Sequence, residues 1–302
     1  IMSKKLISAK AKLEDNSSSN QFVNLDFNFV FSLIIISLFV QVIGIYISSF
    51  YINSALQFNL VNNNPNSIWN AIAIILYIFF VTFLILILRK FFKKHRFLIL
   101  LEVMCFFSCL LLLFETFLIK FYAYVLTIIL LLIKYFVIPK LNNQTITIWY
   151  NNILLSLAIA VSGSLIGISL GFIPIIFFLI VLSLYDVFAV FYSRHMVALA
   201  KVFIKQKLSF TFLLKSKEKV FQLGGGDLVI PLVVSSSLFS ILIKYLPLGK
   251  IIFILFLVYA SSIFGILWTF YIIKNSSIRA MPALPMQTIL IVIVILSVYL
   301  IL

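Results

Sequence analysis

Long apolar runs, separated by short polar or helix-breaking segments, form most of the chain. A helix that crosses a bilayer needs about 20 consecutive residues of this kind. The pattern predicts nine spans, at about 27–50, 68–88, 97–119, 121–138, 152–170, 172–193, 222–246, 250–273 and 282–302. The sequence therefore predicts an all-α polytopic membrane protein with nine transmembrane helices in one domain, residues 27–302, behind a polar cytoplasmic tail, residues 1–26.

The composition supports a membrane environment. Hydrophobic residues make up 64% of the chain, charged residues only 10%, and the mean hydropathy is +1.23. Soluble domains are about half apolar and a quarter charged, so the lipid bilayer must cover much of this surface. The net charge of +15 does not indicate nucleic-acid binding, because no basic stretch carries interleaved stacking aromatics on a soluble module. We expect no nucleic-acid partner.

The basic residues predict an orientation, because cytoplasmic loops of membrane proteins are enriched in Lys and Arg. With the N-terminus in the cytoplasm, all 23 basic residues except Lys120, Lys244 and Lys250 fall on the cytoplasmic side. Residue 302 then lies outside. The most basic segment is the predicted cytoplasmic loop 194–221, between the sixth and seventh spans. Its apolar run 208–214 is too short to span, so it either lies on the membrane surface or packs on the helix ends.

Four of the eight acidic residues lie at membrane depth, where an ionisable group costs at least about 2.5–3.5 kcal/mol. Glu102 follows Arg96 by six residues, and Glu115 precedes Lys120 by five. Structural pairing or snorkelling toward the interface accounts for these two. The other pair is Asp186 and Asp227.

Asp186 and Asp227 are predicted to meet. Each lies eight residues from the basic residue that marks the cytoplasmic end of its span, Arg194 or Lys219. At about 1.5 Å per helical residue, both are about 12 Å deep on consecutive antiparallel helices. Two carboxyls at equal depth can share a proton and activate water. The alternative is a buried polar pair that only joins the helices.

Irregular backbone is predicted beside Asp227 and at the start of the last span. The run Gly224 to Gly226 is unfavourable within a helix, since each glycine costs about 1 kcal/mol relative to alanine. Such backbone is tolerated at depth only where protein buries it or water reaches it. Pro282 and Pro285 likewise remove backbone donors. An extended segment there is expected to pair with an unwound peptide as an added strand.

Three short motifs now resemble those of a known family. Tyr185-Asp186, the segment from Gly224 to Asp227, and Pro282-Ala283-Leu284 are similar to the YD, GxGD and PAL motifs of the presenilin and signal peptide peptidase family. They occur in the family's order, on the predicted sixth, seventh and ninth spans. The flanking segments 193–196 and 228–231 are most similar to the archaeal presenilin-like branch.

The resemblance implies a presenilin-like fold and an intramembrane aspartyl protease that cleaves transmembrane segments of membrane proteins or signal peptides, in the cell membrane of a prokaryote. Asp186 and Asp227 would be catalytic. The residues implied to shape the active site are Tyr185, Gly224, Gly225 and Gly226, and those implied to bind substrate are Pro282, Ala283 and Leu284. No cofactor and no metal ion are expected.

The main alternative is a secondary transporter or ion pathway that uses paired intramembrane aspartates and a broken helix. The first half of the sequence contains no repeat of the Gly-rich break. Prepilin-peptidase-type proteases have fewer spans and lack the PAL motif. A structural scaffold does not need two acids at matched depth.

Overall fold

Nine α-helices and one β-hairpin form the described part of the chain. The computed structural model describes residues 27–54, 64–91, 95–141, 143–192, 208–215, 220–275 and 282–301. The helices are α1 (Phe27–Asn53), α2 (Ile68–Phe91), α3 (His95–Glu115), α4 (Lys120–Leu132), α5 (Gln144–Ile168), α6 (Phe172–Val187), α7 (Gly226–Leu242), α8 (Leu248–Asn275) and α9 (Leu284–Ile301). The strands β1 (Thr211–Lys215) and β2 (Val220–Gly224) lie between α6 and α7.

The predicted all-α polytopic fold is confirmed. Seven of the described helices are long and apolar enough to cross a bilayer, when α4 and α6 are counted with the π- and 3-10-helical turns that continue them to Leu141 and Tyr192. Helices α7 and α9 are shorter apolar helices. A break at residues 116–119 separates α3 from α4, as predicted. The fifth helix begins earlier than predicted because Asn143 caps it, accepting a hydrogen bond from the Thr145 N–H at 3.0 Å.

The seventh span begins later than predicted. Its expected first residues, from 222 onward, belong to β2, which pairs antiparallel with β1 and places Phe212 opposite Leu223. Backbone N–H and C=O groups need partners, and the strand ladder supplies them ahead of a glycine run that favours neither element. The helix α7 therefore starts only at Gly226.

The hairpin packs on the helix bundle. Phe212, Leu214 and Leu223 are buried in the same hydrophobic core as residues of α1 and α5. Of the two alternatives for segment 208–214, packing against the helices is therefore the one observed. Within the rest of the predicted cytoplasmic loop, residues 220–221 form the start of β2. Residues 194–207 and 216–219 lie outside the described residues.

Helix α7 lies at the centre of the bundle. It packs against α1, α5, α6 and α8, and residues on all of its faces are buried, as expected for a helix that is apolar all round. The glycines of α5 permit this close approach. A Cβ on Gly167 would lie 2.5 Å from the Val233 carbonyl oxygen, and one on Gly163 would lie 2.8 Å from Leu232 Cδ2. Small residues at a helix interface let two backbones come together in this way.

Helices α6, α7 and α9 lie close together in the bundle. Helix α6 packs against both α7 and α9, and α8 packs against α7 and α9 from the other side. The three elements that carry the predicted motifs are therefore adjacent, although residues 185 and 284 are far apart in sequence.

Candidate active site

Asp186 lies in the last turn of α6 and its side chain is buried, with 7% exposed. A π-helical turn, Phe188–Tyr192, follows it directly. π-Helical turns within helices occur frequently at functional sites. The Asp186 Oδ2 atom accepts a hydrogen bond from the Leu284 N–H at 3.3 Å, so the carboxyl faces the first turn of α9.

Asp227 is the second residue of α7, and Gly225 is the N-cap. The Gly224 backbone lies beside its carboxyl group, since a Cβ added to Gly224 would be 3.4 Å from Asp227 Oδ2. The N-terminus of a helix carries a partial positive charge that stabilises a carboxylate. The Asp227 carboxyl therefore lies at the N-terminus of its own helix, while the Asp186 carboxyl lies at the N-terminus of α9.

Asp186 and Asp227 lie on adjacent helices, α6 and α7, and the charge of Asp186 acts on the Asp227 carboxyl. The reasoning about depth was partly wrong, because residues 220–224 form a strand and not part of a helix. The placement of the two aspartates on neighbouring elements depends instead on α6 packing beside α7. Two like charges held together in a low-dielectric site do not both ionise easily, so the pair is expected to share one proton.

The three glycines before Asp227 have different surroundings. A Cβ on Gly224 would lie 3.4 Å from Asp227 Oδ2, so the backbone itself lines the carboxyl. A Cβ on Gly225 would lie 3.2 Å from Ile159 Cδ1 on α5, whereas one on Gly226 would meet no atom within 4 Å. Gly224 and Gly226 are exposed, so this irregular segment is accessible.

Tyr185 precedes Asp186 on α6, and its ring packs against Phe79 on α2, with the ring centroids 4.6 Å apart. It thus belongs to the contact between α2 and α6. Its predicted role in shaping the catalytic centre stays a prediction.

The Pro282-Ala283-Leu284 segment borders Asp186. Pro282 and Ala283 precede the helix, and Leu284 is the first residue of α9. The Ala283 carbonyl accepts from the Gln287 N–H at 3.3 Å, and the Leu284 N–H is used by Asp186. Both backbone groups therefore already form hydrogen bonds within the protein. They are not free to pair with an added strand, contrary to the prediction from the sequence for this segment.

The other two acids at membrane depth lie apart from this pair. Glu102 Oε1 forms a buried ion pair with Lys134 Nζ at 2.7 Å. Structural pairing of Glu102 is confirmed, and its partner is Lys134, one of the residues that the charge pattern predicts to lie on the cytoplasmic side. No ion pair joins Glu115 and Lys120, both of which the structure describes. Within the described segments, no group of three or more His, Cys, Asp or Glu residues is arranged to hold a metal ion.

Sequence reasoning missed the contacts that hold the hairpin. Glu102 Oε1 accepts from the Ser209 N–H at 2.7 Å, and Asn152 binds the backbone of Leu213. Buried Asn and Glu within apolar spans were the only sequence signal, and it does not identify partners 61 and 107 residues away.

Comparison with known proteins supports a single family. The family model described as "Signal-peptide peptidase, presenilin aspartyl protease" matches residues 31–300. A search of curated proteins finds no match. Two solved structures of a presenilin family intramembrane aspartate protease, in space groups C222 and P2, share the fold. The first has a TM-score of 0.65 at 18% identity and covers 90% of this chain and 99% of its own. The second has a TM-score of 0.60 at 20% identity and covers 90% and 97%.

The family match spans most of the chain, and the structural match covers 90% of it. The protein is therefore an integral, multi-pass member of the signal-peptide peptidase and presenilin family of intramembrane aspartyl proteases.

Proposed function

We propose that Asp186 and Asp227 are the catalytic pair, and that they hydrolyse peptide bonds within the transmembrane segments of membrane proteins or signal peptides. The observation that carries this proposal is the placement of two carboxyls on adjacent helices, α6 and α7, with Asp227 at the N-terminus of α7 and Asp186 at the N-terminus of α9. Fixed backbone donors there stabilise negative charge without reorganisation during the reaction.

The reaction follows from a pair that holds one proton. The ionised carboxylate takes a proton from water as the water oxygen attacks the scissile carbonyl carbon. The protonated carboxyl gives its proton to the carbonyl oxygen, which yields a tetrahedral diol. The C–N bond then breaks as one carboxyl protonates the leaving nitrogen and the other recovers a proton from the diol. The products are a carboxylic acid and an amine, and the pair again holds one proton.

The hairpin suggests how an unwound substrate is presented. The sheet has two strands in the described residues, so β2 has β1 on one side and no strand on the other. An extended peptide added to that edge would bond to the β2 backbone and run toward Gly224 and Asp227. The exposed backbone at Gly224 and Gly226 leaves room for it beside the carboxyl.

The β2 edge replaces the Pro282-Ala283-Leu284 segment as the expected site of strand addition. That segment instead orients Asp186, and its side chains would contact the substrate.

The charge distribution supports an orientation with the N-terminus and segment 194–221 in the cytoplasm and residue 302 outside. The membrane is proposed to be the cell membrane of a prokaryote, on the basis of the archaeal-like residues that flank the motifs.

Cysteine labelling is expected to confirm this orientation. After Cys105 and Cys109 are replaced by serine, a Lys205→Cys variant should react with an impermeant maleimide only from the cytoplasmic side. A Leu248→Cys variant, at the start of α8 near Lys244 and Lys250, is the matched outer position and should react only from outside. Labelling of Cys at position 205 in intact cells would contradict the orientation.

The rate of cleavage is expected to depend on pH as a bell-shaped curve. Activity requires the singly protonated pair, so it falls when the second proton binds at low pH and when the first is lost at high pH. Proteoliposomes equilibrated at each pH on both sides, with a single-span peptide, provide the measurement. The thermal stability of the protein over the same pH range is the control. A rate that rises or falls in one direction only, while the protein stays folded, would contradict a shared proton.

A further inference from the structure

The hairpin that leads into Asp227 is held by a buried side chain of α5. Asn152, 5% exposed, donates from Nδ2 to the Leu213 carbonyl at 2.9 Å and accepts at Oδ1 from the Leu213 N–H at 3.1 Å. One carboxamide therefore bonds to both backbone groups of the central residue of β1. This is the pair of bonds that a neighbouring strand would make.

These bonds close one edge of the sheet. Leu213 lies opposite Gln222, and its backbone groups point away from β2 because Asn152 takes both of them. The hydrogen-bonded pairs with β2 are therefore the neighbouring ones, Phe212 with Leu223 and Leu214 with Phe221. Asn152 thus anchors the outer edge of β1 to α5 at Leu213, while no described strand pairs with the outer edge of β2.

A second buried contact holds the start of the hairpin. Glu102, 2% exposed, accepts from the Ser209 N–H at 2.7 Å, two residues before β1. Its charge is balanced by Lys134, and the Tyr135 hydroxyl donates to Oε2 at 3.1 Å. Because α3 packs against α5, the two anchors belong to one rigid support.

The support extends to the candidate catalytic carboxyl. The last residue of β2 is Gly224, whose backbone lines Asp227, and α7 begins two residues later. Only Gly225 separates the strand from the helix, so the placement of β2 affects the placement of Asp227 relative to Asp186.

We propose that Asn152 is a positioning residue, which fixes the β1–β2 hairpin on α5 and thereby sets the Asp227 carboxyl in its reactive geometry. The proposal rests on the proposed role of Asp227. Asn152 touches neither carboxyl and acts through the hairpin backbone.

The test compares Asn152→Leu and Asn152→Asp with a matched control, Asn70→Leu, in full-length protein in proteoliposomes. Asn70 is also a buried asparagine that holds backbone, donating to the Asn64 and Ser169 carbonyls at 3.0 and 3.2 Å. Ser169 lies 17 residues beyond Asn152, about 25 Å further along the α5 axis, so the control loosens the opposite end of the bundle.

We expect Asn152→Leu to lower kcat by at least about tenfold, since a displacement of about 1 Å costs a positioned reaction about 100-fold. Amide hydrogen exchange in segments 211–215 and 220–224 should speed up. Asn152→Asp keeps the acceptor for the Leu213 N–H and should recover part of both losses. Asn70→Leu should speed exchange near residue 64 and leave kcat unchanged. If Asn152→Leu does not fold, the Asn152→Asp variant is judged by the same two readouts, with smaller expected changes.

Three results would overturn the proposal. Unchanged hairpin exchange would show that Asn152 is not an anchor. Faster exchange with unchanged kcat would show that the hairpin does not position Asp227. An equal loss of kcat in Asn70→Leu would show a general effect of destabilisation. The proposed function would fail in a different way: cleavage would continue after either Asp186 or Asp227 is replaced by asparagine.

Discussion

Peptide hydrolysis is expected to be abolished by Asp186→Asn and by Asp227→Asn, each tested alone. General acid and base catalysis contribute about 10²–10⁴-fold each, and each aspartate serves in both roles, so the loss of kcat should reach about 10⁴-fold or more. Asparagine keeps the size of the side chain, and in Asp186→Asn its Oδ1 can still accept from the Leu284 N–H. The fold should therefore persist. The measurement is turnover of a reconstituted single-span peptide, with thermal unfolding of each variant measured in parallel.

A matched control separates catalysis from the loss of any acidic group at membrane depth. Glu115→Gln removes one carboxylate at the end of α3, in a residue that is not part of the carboxyl pair. It should leave kcat unchanged. Substantial turnover in either asparagine variant would show that Asp186 and Asp227 are not the catalytic pair. It would favour the alternative function of an ion pathway.

The second large effect is expected from Leu284→Pro. This substitution deletes the backbone N–H that Asp186 Oδ2 accepts at 3.3 Å. Proline is tolerated at the first position of a helix, where Leu284 lies in α9, so the fold should be retained. A hydrogen bond to a charged group contributes about 1.5–3 kcal/mol, which predicts a fall in kcat of about 10- to 100-fold. Steady-state kinetics in proteoliposomes provide the measurement.

Leu284→Ala is the control for the side chain. It retains the N–H and truncates only the partly exposed leucine, so KM is expected to rise while kcat falls less than in Leu284→Pro. Equal kcat values in the two variants would show that the hydrogen bond to Asp186 does not matter for catalysis.

The sequence predicted the helices and singled out Asp186 and Asp227 because both signals are short-range, whereas the placement of the two residues on adjacent helices depends on tertiary packing. Apolar runs of sufficient length specify membrane spans, and an aspartate within such a run is conspicuous. The start of α7 was mispredicted for a physical reason. Residues 220–224 are apolar enough to continue a helix, and they become a strand only because β1 supplies a partner. Strand formation depends on such tertiary context more than on local propensity.

The anchors of the hairpin lay beyond sequence reasoning because their partners are distant. For Glu102, proximity in sequence favoured Arg96, yet the structure pairs it with Lys134, 32 residues later on the next helix. Asn152 bonds to the backbone of Leu213, 61 residues away. Because almost every residue has the same backbone groups, the amino-acid type of the partner does not reveal such a contact. Likewise, nothing local indicates that the amide of Leu284 reaches Asp186, 98 residues earlier.

Locating the cleaved bond is the decisive measurement for intramembrane proteolysis by Asp186 and Asp227. Purified wild-type protein would be reconstituted with a single-span peptide, and the products identified by mass spectrometry with and without a metal chelator. We expect new termini within the apolar segment of the peptide, in equal yield with chelator and absent in both Asp186→Asn and Asp227→Asn. An intact peptide, cleavage only in its polar flanks, or the same products from either asparagine variant would contradict it.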